Sequence, residues 1–278
     1  MIPKIIQYAW HRMFKPESAD FVSMGLGIEA RAGRCAEQWK LHLENTRKFQ
    51  AEALANLVER DSLAVLGAGR LLDLNLDLAR EFKSVDLYDA DPTCQPAWSK
   101  LQRALAPKTA VTGRVCDLTA SLESWTRDLR AGKIDSFKTQ SFSFNKKYDA
   151  IISLNLLSQI PIYWRDRFDQ IVRGRDLPAE ANQVLHDSMR ELQLQHLNLL
   201  ASSGAKAVII ISDLHFFAYQ RDQALWETED ALFVDYPFRL PGYKRDLHDS
   251  WLWHIAPQGI EAADHGWIHE VRAESFRL

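Results

Sequence analysis

Residues 63–70, Leu-Ala-Val-Leu-Gly-Ala-Gly-Arg, decide the fold. Leu63 to Leu66 form a short apolar run, and Gly67 and Gly69 follow at once. A run of that length bounded by glycine suits a strand buried on both faces. Glycine permits a tight turn and lets backbone amides approach a ligand closely. At the end of a strand, such a turn occupies the position where open α/β sheets bind nucleotides. The next stretch, LLDLNLDLAREF, is expected to be the helix that the turn opens. Leu72 stands where a dinucleotide fingerprint would carry its third glycine, which argues against a pyrophosphate seated on that helix.

Toward the C-terminus the same grammar repeats. Strand-like SVDLYDADP (84–92), AVTGRVCDL (110–118), YDAIISLNLL (148–157) and AKAVIIISDL (205–214) alternate with helical stretches at 97–106, 121–132 and 178–204. Alternation of this kind predicts a parallel sheet built from right-handed βαβ units, with helices on both faces. DSWLWHIAP (249–257) and WIHEVRAESF (267–276) read as two strands joined by a turn, hence an antiparallel C-terminal edge. Toward the N-terminus, Trp39, Leu43, Phe49, Ala53, Leu54 and Leu57 recur at helical spacing. The glycine-rich SMGLGIEARAGR (23–34) before them is expected to be a loop or a broken helix entry. The predicted organisation is a helical extension over 1–60 and a Rossmann-like α/β domain over 61–278.

Composition narrows the function classes. The chain has 278 residues, 46% hydrophobic and 26% charged, with 34 basic residues against 37 acidic ones. A net charge of −3 disfavours binding of nucleic acid through phosphate neutralisation. Three widely spaced cysteines (Cys35, Cys94, Cys116) form neither a disulfide framework nor a CxxC knuckle. The opening MIPKIIQYAWHRMF lacks the apolar core of a signal peptide, and no apolar run is long enough to span a bilayer. A cytoplasmic location is the expectation. Nine histidines show no HExxH or similar spacing, so no metal is expected.

The candidate site residues fall at the expected strand tips. Asp89 stands 22 residues beyond Gly67, where a carboxylate meets ribose hydroxyls. Asp91 precedes Pro92 and suits a helix cap as well as a ligand contact. Asp117 could receive an adenine amine or cap the helix after it. Asn155 and Leu156 close the fourth strand in a polar cluster. Asp213 and His215 end the fifth, with His215 a proton acceptor near neutrality. Tyr163 and Trp164 could wall a substrate pocket. Arg31, Arg34, Trp39 and His42 lie in the extension, which could fold over the site as a lid. Arg31 and Arg34 could share a helix face toward an anionic substrate, or simply face solvent.

Taken together, the glycine turn, the acidic end of the second strand, Asp117 after the third and Tyr148-Asp149-Ala150-Ile151-Ile152 running into a polar edge resemble the class I S-adenosylmethionine-dependent methyltransferases. The resemblance covers about Asp61 to Leu278. It implies a seven-stranded sheet with an antiparallel last strand and S-adenosylmethionine as cofactor. By that likeness Gly67 and Gly69 line the methionine portion, Asp89 binds the ribose, Asp117 meets the adenine, and Asn155 and Leu156 flank the sulfonium, with Leu66, Ala68 and Asp91 as further cofactor contacts. It further implies methyl transfer to an acceptor, expected to be a small molecule. The family usually has an acidic residue where Val65 stands, and small residues where Leu71 and Leu72 stand. These departures motivate the alternative, a methyltransferase-like scaffold that binds a nucleoside or a protein without catalysis.

Overall fold

The computed structural model describes residues 19–134, 137–220 and 223–278. In chain order the elements are helices α1 (Ala19–Arg34) and α2 (Ala36–Leu54), strand β1 (Ser62–Leu66), helix α3 (Leu76–Ala79), strand β2 (Ser84–Asp89), a 3-10 turn (Pro92–Cys94), helix α4 (Gln95–Leu105), strand β3 (Ala110–Val115), helix α5 (Leu122–Arg130), strand β4 (Ala150–Leu154), helices α6 (Leu156–Val172) and α7 (Ala181–Ser202), and strands β5 (Ala207–Gln220), β6 (Gln223–Asp230), β7 (Lys244–Ala256) and β8 (Gly266–Arg277). The opening residues 1–18 of the expected extension, including the segment read for a signal peptide, lie outside the described residues.

The strands form one sheet in the order β3-β2-β1-β4-β5-β8-β7. The pairs β1–β2, β2–β3, β1–β4 and β4–β5 are parallel, and β8 runs antiparallel to both β5 and β7. This is a doubly wound, Rossmann-like α/β sheet with an antiparallel C-terminal edge. It has eight strands, one more than expected, because β5 continues past the parallel sheet and pairs there with β6. Residues Ser212–Tyr219, where the fifth strand was expected to end, continue it as strand.

Both faces are covered. Every residue of β4 and the inner half of β5 is buried, as their unbroken apolar runs require. On one face Trp39, Phe49, Ala53 and Leu54 of α2 share a core with Leu63 and Val65 of β1, Ile209 and Ile211 of β5, and Trp98 of α4. On the other, α5, α6 and α7 pack around Trp125, Trp164 and Phe168. Helix α6 was hidden in the sequence by Pro161, which cannot donate a hydrogen bond to the carbonyl of Leu157. The buried Gln193 of α7 repairs the loss, its Nε2 donating to that carbonyl at 2.9 Å.

The glycine-rich segment is the regular helix α1, not a loop. Asp20 in its first turn and Arg31 and Arg34 in its last suit the helix dipole. Gly25 is required by packing, since a Cβ there would sit 1.9 Å from Asp91 Oδ2. No helix of the described residues is long and apolar enough to cross a membrane.

Candidate functional site

The turn after β1 is pinned from four sides. Ala68 N donates to Tyr88 O at 3.0 Å, Leu71 N to Ala68 O at 2.9 Å, Gly69 N to Asp89 Oδ2 at 2.8 Å, and Trp98 Nε1 of α4 to Gly69 O at 2.9 Å. Gly67 has φ +70, and a Cβ there would stand 2.6 Å from Leu154 O and 3.2 Å from Leu156 Cβ. The absence of a side chain therefore lets the tips of β1 and β4 touch. The helix expected directly after the turn is reduced to the single turn α3, capped by Asn75, whose side chain accepts from the amides of Asp77 and Leu78. Residues Arg70 to Asn75 are irregular, and α2 holds them. Arg47 Nη2 donates to Leu72 O, Gln50 Nε2 to Asp73 O, and Asn75 N to Gln50 Oε1.

Asp89 sits at the tip of β2 with its carboxylate against the turn. Oδ2 accepts from Gly69 N, and Oδ1 accepts from Asp91 N at 2.8 Å. Burial raises its pKa, opposed by those same amide hydrogen bonds. Each carboxylate oxygen carries two acceptor positions, so the group retains capacity for hydroxyl donors. Asp91 is engaged differently. Its Oδ1 caps Thr93 N at 2.8 Å, both oxygens meet Thr93 Oγ1, and Gly25 of α1 lies directly on it. Asp117 is likewise a turn cap, accepting from Thr119 N, Thr119 Oγ1 and Leu122 N.

At the tip of β4, Asn155 is buried and left-handed, with φ +52. Its Nδ2 donates to Asp73 Oδ2 at 2.9 Å. Burial pushes the Asp73 carboxyl up to about 6, against the pull of Arg47 and of the Asn155 hydrogen bond. Sequence reading missed Asp73, which belongs to the segment taken for a helix. The three positive-φ residues other than glycine among the described residues, Leu71, Ala120 and Asn155, all lie in loops after β1, β3 and β4. Such conformations cost about 1–3 kcal/mol each and gather where a site demands them.

The remaining expected residues separate into two groups. His42 and Asp213 are buried near one another, on the face covered by α2. His269 of β8 joins them, its Nδ1 3.3 Å from Asp213 Oδ1. Sequence reading weighed His269 for metal spacing alone. Its position facing Trp253 and Phe216 becomes visible through strand register. Burial pushes the His42 imidazole down to about 3, so it is neutral.

The other five are occupied elsewhere. His215 bonds Glu270 at 2.8 Å and faces Asp230 at 3.3 Å. A β-bulge against β8 between Asp213 and His215 turns the two side chains to opposite faces of the sheet. Arg31 and Arg34 both hydrogen-bond the carboxylate of Glu261, in the β7–β8 connection, instead of awaiting an anionic substrate. Trp39 is a core residue whose Nε1 donates to Ile255 O at 3.0 Å. Tyr163 stacks on Phe21 of α1 at 4.0 Å, with its hydroxyl accepting from Arg167.

Helix α1 thus crosses the strand tips. Asp20 pairs with Arg167 at 2.6 Å, Gly25 lies on Asp91, Glu29 pairs with Arg70 at 3.2 Å, and Arg31 and Arg34 reach Glu261. Among the described residues no cluster of three or more metal-binding side chains occurs.

Neither a protein-family model nor a curated protein matches the chain. Solved structures of similar architecture include an N-methyltransferase, NodS, from Bradyrhizobium japonicum WM9 in complex with S-adenosyl-L-homocysteine (9% identity, TM-score 0.40, covering 84% of this chain and 85% of that one). A magnesium protoporphyrin IX methyltransferase from Synechocystis PCC 6803 with bound S-adenosylmethionine shows 15% identity and a TM-score of 0.39, over 85% and 80% of the two chains. An S-adenosylmethionine-dependent methyltransferase from Clostridium acetobutylicum ATCC 824 shows 11% identity and a TM-score of 0.41, over 84% and 91%. The fold assignment given above rests on the strand order itself.

Proposed function

We propose that this chain is an S-adenosylmethionine-dependent methyltransferase acting on a small-molecule acceptor. The observation that carries the reading is the joining of three strand tips. The glycine turn of β1 bonds the acidic tip of β2 and touches the left-handed tip of β4. The residues present suit the cofactor. Gly67 and Gly69, with Leu66 and Ala68, give a turn whose backbone is open to close approach. Asp89 keeps acceptor capacity for ribose hydroxyls, and Asn155 Oδ1 is a buried acceptor with no partner among the described residues. Asp117 lies after β3 at the adenine end, and Leu156 beside Asn155 at the sulfonium end.

When bound, the sulfonium supplies an already activated methyl group. The chain's task is then to orient an acceptor in line with the carbon–sulfur bond and to exclude water. In this reading α1, fixed at both ends by ion pairs, serves as the cover over residues 61–278.

One set of observations favours a second reading, a scaffold without transferase activity. Asp91 and Asp117 serve as caps, and α1 rests directly on the β2 tip. Calorimetric titration with S-adenosylhomocysteine separates the two from unrelated functions: saturable binding below millimolar ligand is expected, and no binding removes the enzyme. Incubation of small-molecule pools with isotopically labelled methyl donor, followed by mass spectrometry, then separates enzyme from scaffold.

A further inference from the structure

Around the tip of β4 and the middle of β5, three buried polar atoms have no partner among the described residues. His42 Nε2, Asn155 Oδ1 and Trp253 Nε1 belong to residues that are 1%, 3% and 4% exposed, and beside them Asp213 Oδ1 and His269 Nδ1 face each other. They come from α2, β4, β5, β7 and β8, yet they adjoin. The rings of His42 and Trp253 stack at 4.0 Å, and those of Trp253 and His269 meet edge-on at 5.6 Å. His269 Nδ1 is 3.3 Å from Asp213 Oδ1. Ser158 Oγ lies 3.1 Å from both Asp213 Oδ2 and the main-chain oxygen of Asn155, which sets these two residues side by side.

A buried polar atom without a hydrogen bond costs about 1–3 kcal/mol, so several in one place call for an explanation. Their chemistry is mixed. Trp251 Nε1 donates to His42 Nδ1 at 3.0 Å, which leaves the proton of the neutral imidazole on Nε2. His42 Nε2–H and Trp253 Nε1–H are therefore donors, while Asp213 Oδ1 and Asn155 Oδ1 are acceptors. Trp253 and Phe216 supply aromatic walls, the latter 4.3 Å from the His269 ring. An anion would meet the Asp213 carboxylate, and a purely apolar molecule would leave His42 Nε2, Trp253 Nε1 and Asn155 Oδ1 unpaired.

Resting on the methyltransferase reading above, we propose that His42, Asn155, Asp213, Trp253 and His269 bind the methyl acceptor as a small, planar, uncharged molecule presenting an N–H or O–H nucleophile beside a hydrogen-bond acceptor, with His269 taking up its proton. The nucleophile's lone pair forms the bond to the methyl carbon. The carbon–sulfur bond breaks with its electron pair remaining on sulfur. The nucleophile's proton passes to His269 Nε2, and Asp213, facing Nδ1, balances the imidazolium charge.

Imidazole is the probe, since it is planar and carries one N–H and one acceptor nitrogen. At about pH 8, where it is largely uncharged, it is titrated into the full chain with and without saturating S-adenosylhomocysteine. Calorimetry and the nitrogen shifts of labelled histidines are read. Saturable binding near millimolar is expected, about 4 kcal/mol, with the His42 and His269 signals moving together. Asp213→Asn and Trp253→Phe, both close in shape to the native residues, should each weaken imidazole about tenfold. Both should remain folded and keep the native S-adenosylhomocysteine affinity. A response that does not saturate, or equal affinity in wild type and both folded variants, overturns the proposal. Failure of the wild type to bind S-adenosylhomocysteine overturns the methyltransferase reading instead, and the titration without it still reports on these five residues.

Discussion

The tips of β2 and β3, and the tip of β4 with the adjoining middle of β5, lie along one edge of the parallel strands, yet they treat polar groups in opposite ways. At the first pair, Asp89, Asp91 and Asp117 accept hydrogen bonds from backbone or side chains close by, several only two residues away. In the second region Asn155 keeps a buried oxygen unpaired, Asp213 faces His269, and the groups beside them arrive from α2, β7 and β8. The first region is completed by its own chain. The second is assembled from distant segments and carries an uncompensated cost, as sites that trade stability for binding do.

The largest expected effect tests that cost. His42 is neutral in the fold, with its pKa at about 3 against 6.5 in the free side chain. Its contribution to stability is complete above the unfolded value and is lost as pH falls from 6.5 toward 3, at about 1.4 kcal/mol per pH unit. His42→Phe, which keeps the stack on Trp253, should therefore exceed wild type by about 3 kcal/mol at pH 4.5 in urea unfolding. Near neutrality the two proteins should be about equally stable, since phenylalanine removes the unpaired Nε2 but also the acceptor of Trp251 Nε1. His196, pushed down to about 4 by burial, gives both proteins the same remaining acid dependence. Equal acid slopes in the two proteins would show that His42 reaches water.

Next in size is Asp89→Ala, which should weaken S-adenosylhomocysteine by about 1.5–3 kcal/mol, the range for hydrogen bonds to a charged group. Unchanged affinity in a folded variant would place the ligand elsewhere. Asp91→Ala should do the reverse, lowering stability by about 1–2 kcal/mol as a lost cap while affinity stays within about threefold. Calorimetry and thermal melting of the two variants, side by side, would blur the contrast between regions if both lost affinity equally. The smallest effect concerns α1. Gly27→Ala meets nothing within 4 Å and should raise stability by about 0.5–1 kcal/mol, whereas Gly25→Ala collides with Asp91 and should not.

The same contrast explains what could be read from the sequence. Strands β1 to β4, the glycine turn and the aspartate tips were legible because periodicity and turn chemistry act over a few residues. Helix α1 was hidden by glycines, of which Gly25 serves a contact with Asp91 some 66 positions away. Helix α6 was hidden by Pro161, whose missing hydrogen bond is compensated by Gln193. The aromatic and polar Ser212–Tyr219 read as a rim because its partners, β6 and β8, follow later in the chain. Asp73 and His269 have no local signature. The partners that define them, Asn155 and Asp213, are 82 and 56 residues distant.

The irregularity in β5 has an outcome of its own. Asp213 pairs with Val271 and His215 with the adjacent Glu270, so Leu214 is the surplus residue between them. One edge of β5 pairs with parallel β4 over 207–211 and with antiparallel β6 from His215 on, while its other edge pairs with antiparallel β8 along nearly its whole length. It behaves as two strands spliced end to end. Excising Leu214 should leave every flanking side chain on its present face, whereas excising a neighbour within either segment should invert all that follows.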